Sequence, residues 1–242
     1  SDVAREAAGL VLLDDDFAAL VATMGLGRRV FDNLRKALSY TLAVHLPIAG
    51  MALLPALLGQ PLMLIPALIM FFELIIGPSC SLVFEAEPAE PGHMRRPPRR
   101  GDEALFGGRR MRLALAQGAV VLAVNAAAYL WSLHLAWAAE QSRALVFVVM
   151  LGGNLALLAA CRSGSRSLLL GLGRGNPVFW WVCGGALIGL ALISQSPLLL
   201  GLFHLAPLGA AAWSLAALAC AAQLLGLELL RLGHARRAAH PL

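Results

Sequence analysis

Charge is scarce in this sequence. Asp, Glu, Lys and Arg make up only 14% of its 242 residues, against roughly 25% in ordinary soluble domains. Aromatic residues are few as well, at 7%. A soluble fold of this length would lack the polar side chains to cover its surface. That excludes a globular cytosolic enzyme, a nucleic-acid-binding module and a disordered tail, so no nucleic-acid partner is expected. The string G-x-x-x-x-G-K-[ST] that cradles nucleotide phosphates does not occur. The four cysteines, Cys80, Cys161, Cys183 and Cys220, stand singly in apolar runs, which suggests neither a disulfide framework nor a zinc site. Cys80 is not part of a C-P-C motif, so a soft-metal site is disfavoured. The chain starts at Ser1 with neither Met nor a signal peptide, and it reads as a piece of something longer.

Apolar residues make up 59% of the chain. A helix needs about 20 mostly apolar residues to cross a bilayer, and six windows qualify: 39–59, 62–84, 113–133, 144–161, 178–194 and roughly 210–230. This predicts an all-α polytopic membrane protein with a six-helix bundle over 39–242. Only Gln60 and Pro61 separate the first two windows, which predicts a tight helical hairpin. Lys and Arg number 5 before the first span, 7 in 85–112, 3 in 162–177 and 3 after 230, with only Arg143 on the opposite side. Basic residues gather on the cytoplasmic side of membrane proteins, so both termini and the loops around Arg96 and Arg166 should be cytoplasmic, with Gln60 and Arg143 outside. Trp131, Trp137, Trp180, Trp181 and Trp213 lie near span ends, as an interfacial belt requires. Gly185 and Gly189 are spaced to let helices pack closely. The loop holding Glu85, Glu87, Glu90, Arg95, Arg96, Arg99 and Arg100, with Pro88, Pro91, Pro97 and Pro98, reads as an ordinary positive-inside loop.

Residues 1–38 differ in character. Leu10-Val11-Leu12-Leu13 reads as a short buried strand, Asp14-Asp15-Asp16 as helix-capping residues, and Phe17 through Lys36 as an amphipathic helix running on towards the first span. The helix places Leu20, Val21, Met24, Val30, Phe31 and Leu34 at helical spacing. So small a strand–helix unit cannot bury a core alone, and it reads as the remnant of a cytoplasmic α/β domain.

Inside the windows, an ionisable side chain is penalised by several kcal/mol unless partnered, which makes it a functional candidate. Glu73 is the acid at the centre of the second span, flanked by Phe71-Phe72 and Leu74-Ile75-Ile76. His45 lies in the first span, in Val44-His45-Leu46-Pro47. Pro47 removes a backbone N–H and displaces the carbonyl of Ala43, a break of the kind that exposes oxygens to hard cations. The alternative, an interfacial His beside an ordinary proline kink, is equally open. Gly77-Pro78-Ser79-Cys80-Ser81 supplies a second break. Counted from the turn, His45 and Glu73 differ in depth by only about 4 Å, so they should face each other across the hairpin.

The strings Ser1-Asp2-Val3-Ala4-Arg5-Glu6-Ala7-Ala8, Val11-Leu12-Leu13-Asp14-Asp15-Asp16-Phe17 and Gly27-Arg28-Arg29-Val30-Phe31-Asp32-Asn33-Leu34-Arg35-Lys36 resemble the end of the phosphorylation domain of cation-transporting P-type ATPases. Met94-Arg95-Arg96-Pro97-Pro98-Arg99 looks like the loop after the sixth helix in their calcium-pump-like branch. The resemblance implies helices five to ten of a bacterial pump. It also implies a haloacid-dehalogenase-like domain before them, and a transported cation, membrane lipid and the missing N-terminal half as partners. ATP and Mg would serve the complete pump, since the family's D-K-T-G-T and G-D-G-x-N-D strings do not occur here. The fragment alone should neither hydrolyse ATP nor form a phosphoenzyme.

By the same resemblance the ion site would include Glu73, His45, Gly77 and Asn154, with helix breaks at Pro47 and Pro78. Where calcium pumps carry N-x-x-E in the fifth helix, this sequence has His45 and Ile48. Their N-x-x-T-D reads Glu73, Ile76 and Gly77, and Asn154 stands for an acid in the eighth. One carboxylate and one imidazole are a poor cage for calcium, which takes six to eight oxygens, and suit a proton or one monovalent charge better. A proton-coupled secondary transporter using Glu73 and His45 would carry an inverted repeat, and none is visible. A degenerate, non-catalytic scaffold is the remaining alternative.

Overall fold

A computed structural model of the chain describes residues 2–9, 11, 16–95, 97, 107–162 and 175–239. Six of its helices are long and apolar enough to cross a membrane, and no strand occurs among the described residues. After the short α1 (Asp2–Ala7) come α2 (Phe17–Leu57), α3 (Pro66–Pro78), α4 (Gly108–His134), α5 (Ala139–Arg162), α6 (Pro177–Gln195), the short α7 (Pro197–Leu202) and α8 (Ala210–Ala239). Most of the expected strand (Leu10, Leu12 and Leu13), with Asp14, Asp15, Arg96, Arg99, Arg100 and Arg166, lies outside the described residues.

α2 starts where the side chain of Asp16 accepts a hydrogen bond from the Ala18 amide, satisfying one of the donors a helix leaves open at its start. At 41 residues it is about 60 Å long, twice the thickness of a bilayer's hydrocarbon core. Stalk and first span are therefore one rod. The break expected at Pro47 is not there, because the helix runs unbroken through Pro47 and Pro55. Neighbouring helices can hold a membrane helix together across a missing N–H, and α4 packs against this stretch. A Cβ on Gly118 would come 2.5 Å from the Ala43 carbonyl oxygen. The oxygen that Pro47 deprives of its donor thus faces the backbone of α4.

The hairpin differs from expectation too. The connection spans 58–65 and not two residues, and α3 begins at Pro66. Gly59 adopts φ +64°, Pro61 and Pro66 have no N–H to give, and Arg143 takes the Leu62 carbonyl. Met63 and Leu64 are buried, so these apolar residues fill the end of the bundle without being helical. At its other end α3 passes through Pro78 into a π-helical turn, Ser79–Val83, so Pro78 widens the helix instead of ending it.

α5 is the axis. Of its most apolar 18-residue window 89% is buried, and it packs against α2, α4, α6 and α8. Small residues set these approaches. A side chain on Gly50 would run into Leu122, one on Gly153 into Val121, one on Gly152 into Cys220 and one on Gly226 into Val120. Gly189 meets the ring of Phe71, whereas Gly185 faces open space and brings no helix closer. An aromatic cluster of Phe71, Phe72, Phe147 and Phe203 packs edge to face between α3, α5 and the turn after α7.

Candidate functional site

The structure brings His45 and Glu73 together. His45 Nε2 lies 4.0 Å from Glu73 Oε1, with side chains 51% and 53% exposed. Both stand on the outside of this bundle, His45 in the second half of α2 and Glu73 near the middle of α3. The imidazole is oriented from behind by its Nδ1, which is 2.7 Å from the Thr41 carbonyl. A carbonyl can only accept, so Nδ1 carries the hydrogen and Nε2 of the neutral ring presents a lone pair. Nε2 and the carboxylate then both offer lone pairs to the gap between them. Such a gap attracts a proton or a cation, and 4.0 Å is too long for a direct hydrogen bond.

Gly77 lies one helical turn beyond Glu73 on the same exposed side, and a Cβ there would touch nothing within 4 Å. Its carbonyl accepts from Ser81 Oγ at 2.9 Å. Among the described residues no group of three His, Cys, Asp or Glu side chains could hold a metal ion.

Asn154 is elsewhere. Its Oδ1 accepts a short hydrogen bond from Tyr40, and both residues are buried. Tyr40 and His45 are five positions apart, about 140° around α2, so Asn154 serves the inward face and His45 the outward one. The Ala43 carbonyl also points inward, against Gly118. The oxygen that Pro47 frees is therefore not at the His45–Glu73 gap.

A matching family model decides the kinship: cation transporting ATPase, C-terminus, aligned over residues 61–233. The chain belongs to this family. It is similar to a probable cation-transporting ATPase F of Mycobacterium tuberculosis, 31% identical over 215 residues, which is 88% of this chain and 24% of that protein. A calcium-transporting ATPase of Listeria monocytogenes is 31% identical over 169 residues, covering 69% of this chain and 19% of its own length. The potassium-transporting ATPase alpha chain 1 of Xenopus laevis is 41% identical over 103 residues, covering 41% of this chain and 10% of its own. The chain thus spans about a quarter or less of the length of these relatives. It is the membrane-embedded C-terminal region of a P-type cation-transporting ATPase of calcium-pump-like type. Glu73, Gly77, Pro78 and Asn154 fall within the family match, while His45 and Pro47 precede it.

This ATPase region also holds a polar network that sequence reasoning passed over. Glu87, read as one acid of an ordinary loop, is fully buried. Its Oε2 accepts from Arg162 Nε at 2.7 Å and from Asn176 Nδ2 at 2.8 Å. Its main-chain carbonyl accepts from Asn33 Nδ2 at 2.8 Å and Arg29 Nε at 2.9 Å. The Arg162 guanidinium lies 4.1 Å above the Phe179 ring, and Lys36 pairs with Glu90 at 3.2 Å. Stalk, the loop after α3, the end of α5 and the start of α6 are tied through one residue, the stalk through the Glu87 carbonyl and the two helix ends through its carboxylate. The available signal was the place of Arg162 as the last residue of the helix with the most apolar window of the six.

Proposed function

We propose that this region forms the ion-conducting part of an ATP-driven cation pump, with His45 and Glu73 lining the path. What carries the reading is their meeting at 4.0 Å at mid-membrane depth on a face this chain leaves uncovered. An unpartnered carboxylate facing lipid is strongly disfavoured, so the remainder of the pump would cover this face and complete the coordination. The exposed apolar residues of the stalk, Phe17, Val21, Met24, Val30 and Leu34, suit contact with a cytoplasmic α/β domain of which residues 1–38 would be the last strand–helix unit. Residues 39–242 then form the transmembrane domain. ATP and Mg would act on that missing part, because the phosphorylation and metal-loop strings lie outside this sequence. The protein would sit in the plasma membrane, and its basic loops support both termini being cytoplasmic.

Within the site, Glu73 would supply the charge that attracts the cation, His45 Nε2 a neutral donor atom, and Gly77 the room for the ion's remaining shell. Asn154 would act from behind by fixing Tyr40 and with it α2. The experiment is Glu73→Gln in the complete pump, read as ion-stimulated ATP hydrolysis. The apparent ion affinity should fall at least about tenfold, the scale of losing one charged ligand contact of about 1.4 kcal/mol or more, while melting behaviour stays the same. Wild-type ion affinity in that variant would reduce Glu73 to a structural residue.

A further inference from the structure

We propose that the cytoplasmic ends of α4 and α8 form a binding site for one anionic phospholipid, a role separate from the ion path. The two helices are antiparallel and touch where Gly226 admits Val120. One to two turns further towards the basic end lies a groove of about 570 Å³. Towards the helix ends it is lined by Arg109, Arg112, Gly233 and His234, and towards the membrane by the apolar Leu113, Ala116 and Leu230. Arg109 and Arg112 are exposed and three positions apart, so both guanidinium groups project on one face of the first turn of α4.

The same turn has no acidic residue and no side-chain cap at Gly107, so its open amides add the partial positive charge of a helix start. Among the described residues no acidic one lines the groove. Positive charge at the rim with an apolar slot below is the chemical outline of a phosphodiester headgroup above its acyl chains. The guanidinium forks suit the phosphate oxygens, and basic pockets between membrane helices on the cytoplasmic side attract anionic headgroups. The slot at Gly233 is empty, since a Cβ there meets nothing within 4 Å. An acyl chain can therefore lie in the open groove along the outside of the α4–α8 seam, above the point where Gly226 meets Val120, which a free phosphate ion has no use for.

The test is native mass spectrometry of the purified protein in detergent holding equal amounts of phosphatidylglycerol and phosphatidylcholine. The wild type should retain phosphatidylglycerol preferentially. Each arginine near a membrane surface contributes about fivefold, so R109Q/R112Q should lower that preference about 25-fold, and either single variant about fivefold. Gly233→Phe, which keeps every charge and fills the slot, should reduce retention as well. R5Q/R95Q, the same charge change away from the groove, should leave the preference intact. Unchanged preference in R109Q/R112Q, equal loss in R5Q/R95Q, or full retention in Gly233→Phe would each overturn the site. Displacement of the lipid by millimolar inorganic phosphate would show an ion site in place of a lipid site.

Discussion

Glu87 is held by donors from three directions, and removing it would leave Arg162 charged, 2% exposed and without its carboxylate. Breaking a buried pair by deleting one partner typically costs about 3–5 kcal/mol, because the survivor is stranded, whereas replacing both partners by apolar groups costs much less. Glu87→Ala should therefore lower the melting temperature in detergent sharply, and Glu87→Ala with Arg162→Met should recover much of the loss. A double variant no better than the single one would mean that the pair contributes nothing beyond packing. Gln223 is the opposite case. It is fully buried on α8, and among the described residues neither of its side-chain polar atoms has a hydrogen-bond partner. An unmade hydrogen bond at such a site costs about 1–3 kcal/mol, so Gln223→Met should be neutral or raise the melting temperature. A fall of several degrees would show that the amide is in use.

Between elements, backbone approach decides the packing. Gly118 lets α4 lie on the Ala43 carbonyl, and a methyl group there would sit 2.5 Å from a main-chain oxygen that cannot swing away. Gly118→Ala should push α4 off α2 and destabilise the bundle by about 1–3 kcal/mol, as overpacking does. Gly185→Ala, into open space, should be neutral or stabilising by up to about 1 kcal/mol from helix propensity. Thermal melts of the two variants side by side check both. Sequence spacing alone marked Gly185 and Gly189 and could not separate them, since facing depends on where neighbouring helices lie. The helices themselves were legible, because long apolar runs report the bilayer directly. The connection 58–65 was not, because Met63 and Leu64 are as apolar as any span and only Gly59, the two prolines and Arg143 keep them from continuing a helix. The His45–Glu73 meeting was legible from the similar depth of the two in neighbouring spans, together with the penalty on a lone carboxylate. The Glu87–Arg162 pair was not, since a loop acid and a helix-end arginine 75 positions apart carry no sign in sequence of being partners.

At the scale of the molecule, the loops sort to two ends. One end gathers Glu87, Arg162 and Asn176, the other Leu62, Arg143 and His204. The distribution of basic residues predicts that the first end is cytoplasmic. Gln60→Cys, exposed at the second end, should react with an impermeant maleimide added from outside, and Ala89→Cys, exposed at the first, should react only after the membrane is opened. The reverse pattern would invert the topology. Arg143 makes a poor reporter for this test, because its guanidinium is bonded to the carbonyls of Leu62 and His204.

Both ends of α5 are pinned by arginine: Arg143 to main-chain carbonyls at one end, Arg162 to Glu87 at the other. The two are 19 positions apart, about 28 Å along the helix. That is close to the thickness of a bilayer's hydrocarbon core, so the axial helix acts as a ruler. A helix free at its ends can tilt when lipid is too thin and slide when it is too thick. This one is fastened to the surrounding loops and can do neither without taking them along. The protein should therefore be fussy about acyl chain length: its half-life at elevated temperature should peak in phosphatidylcholines whose hydrocarbon layer is near that length and fall off on either side.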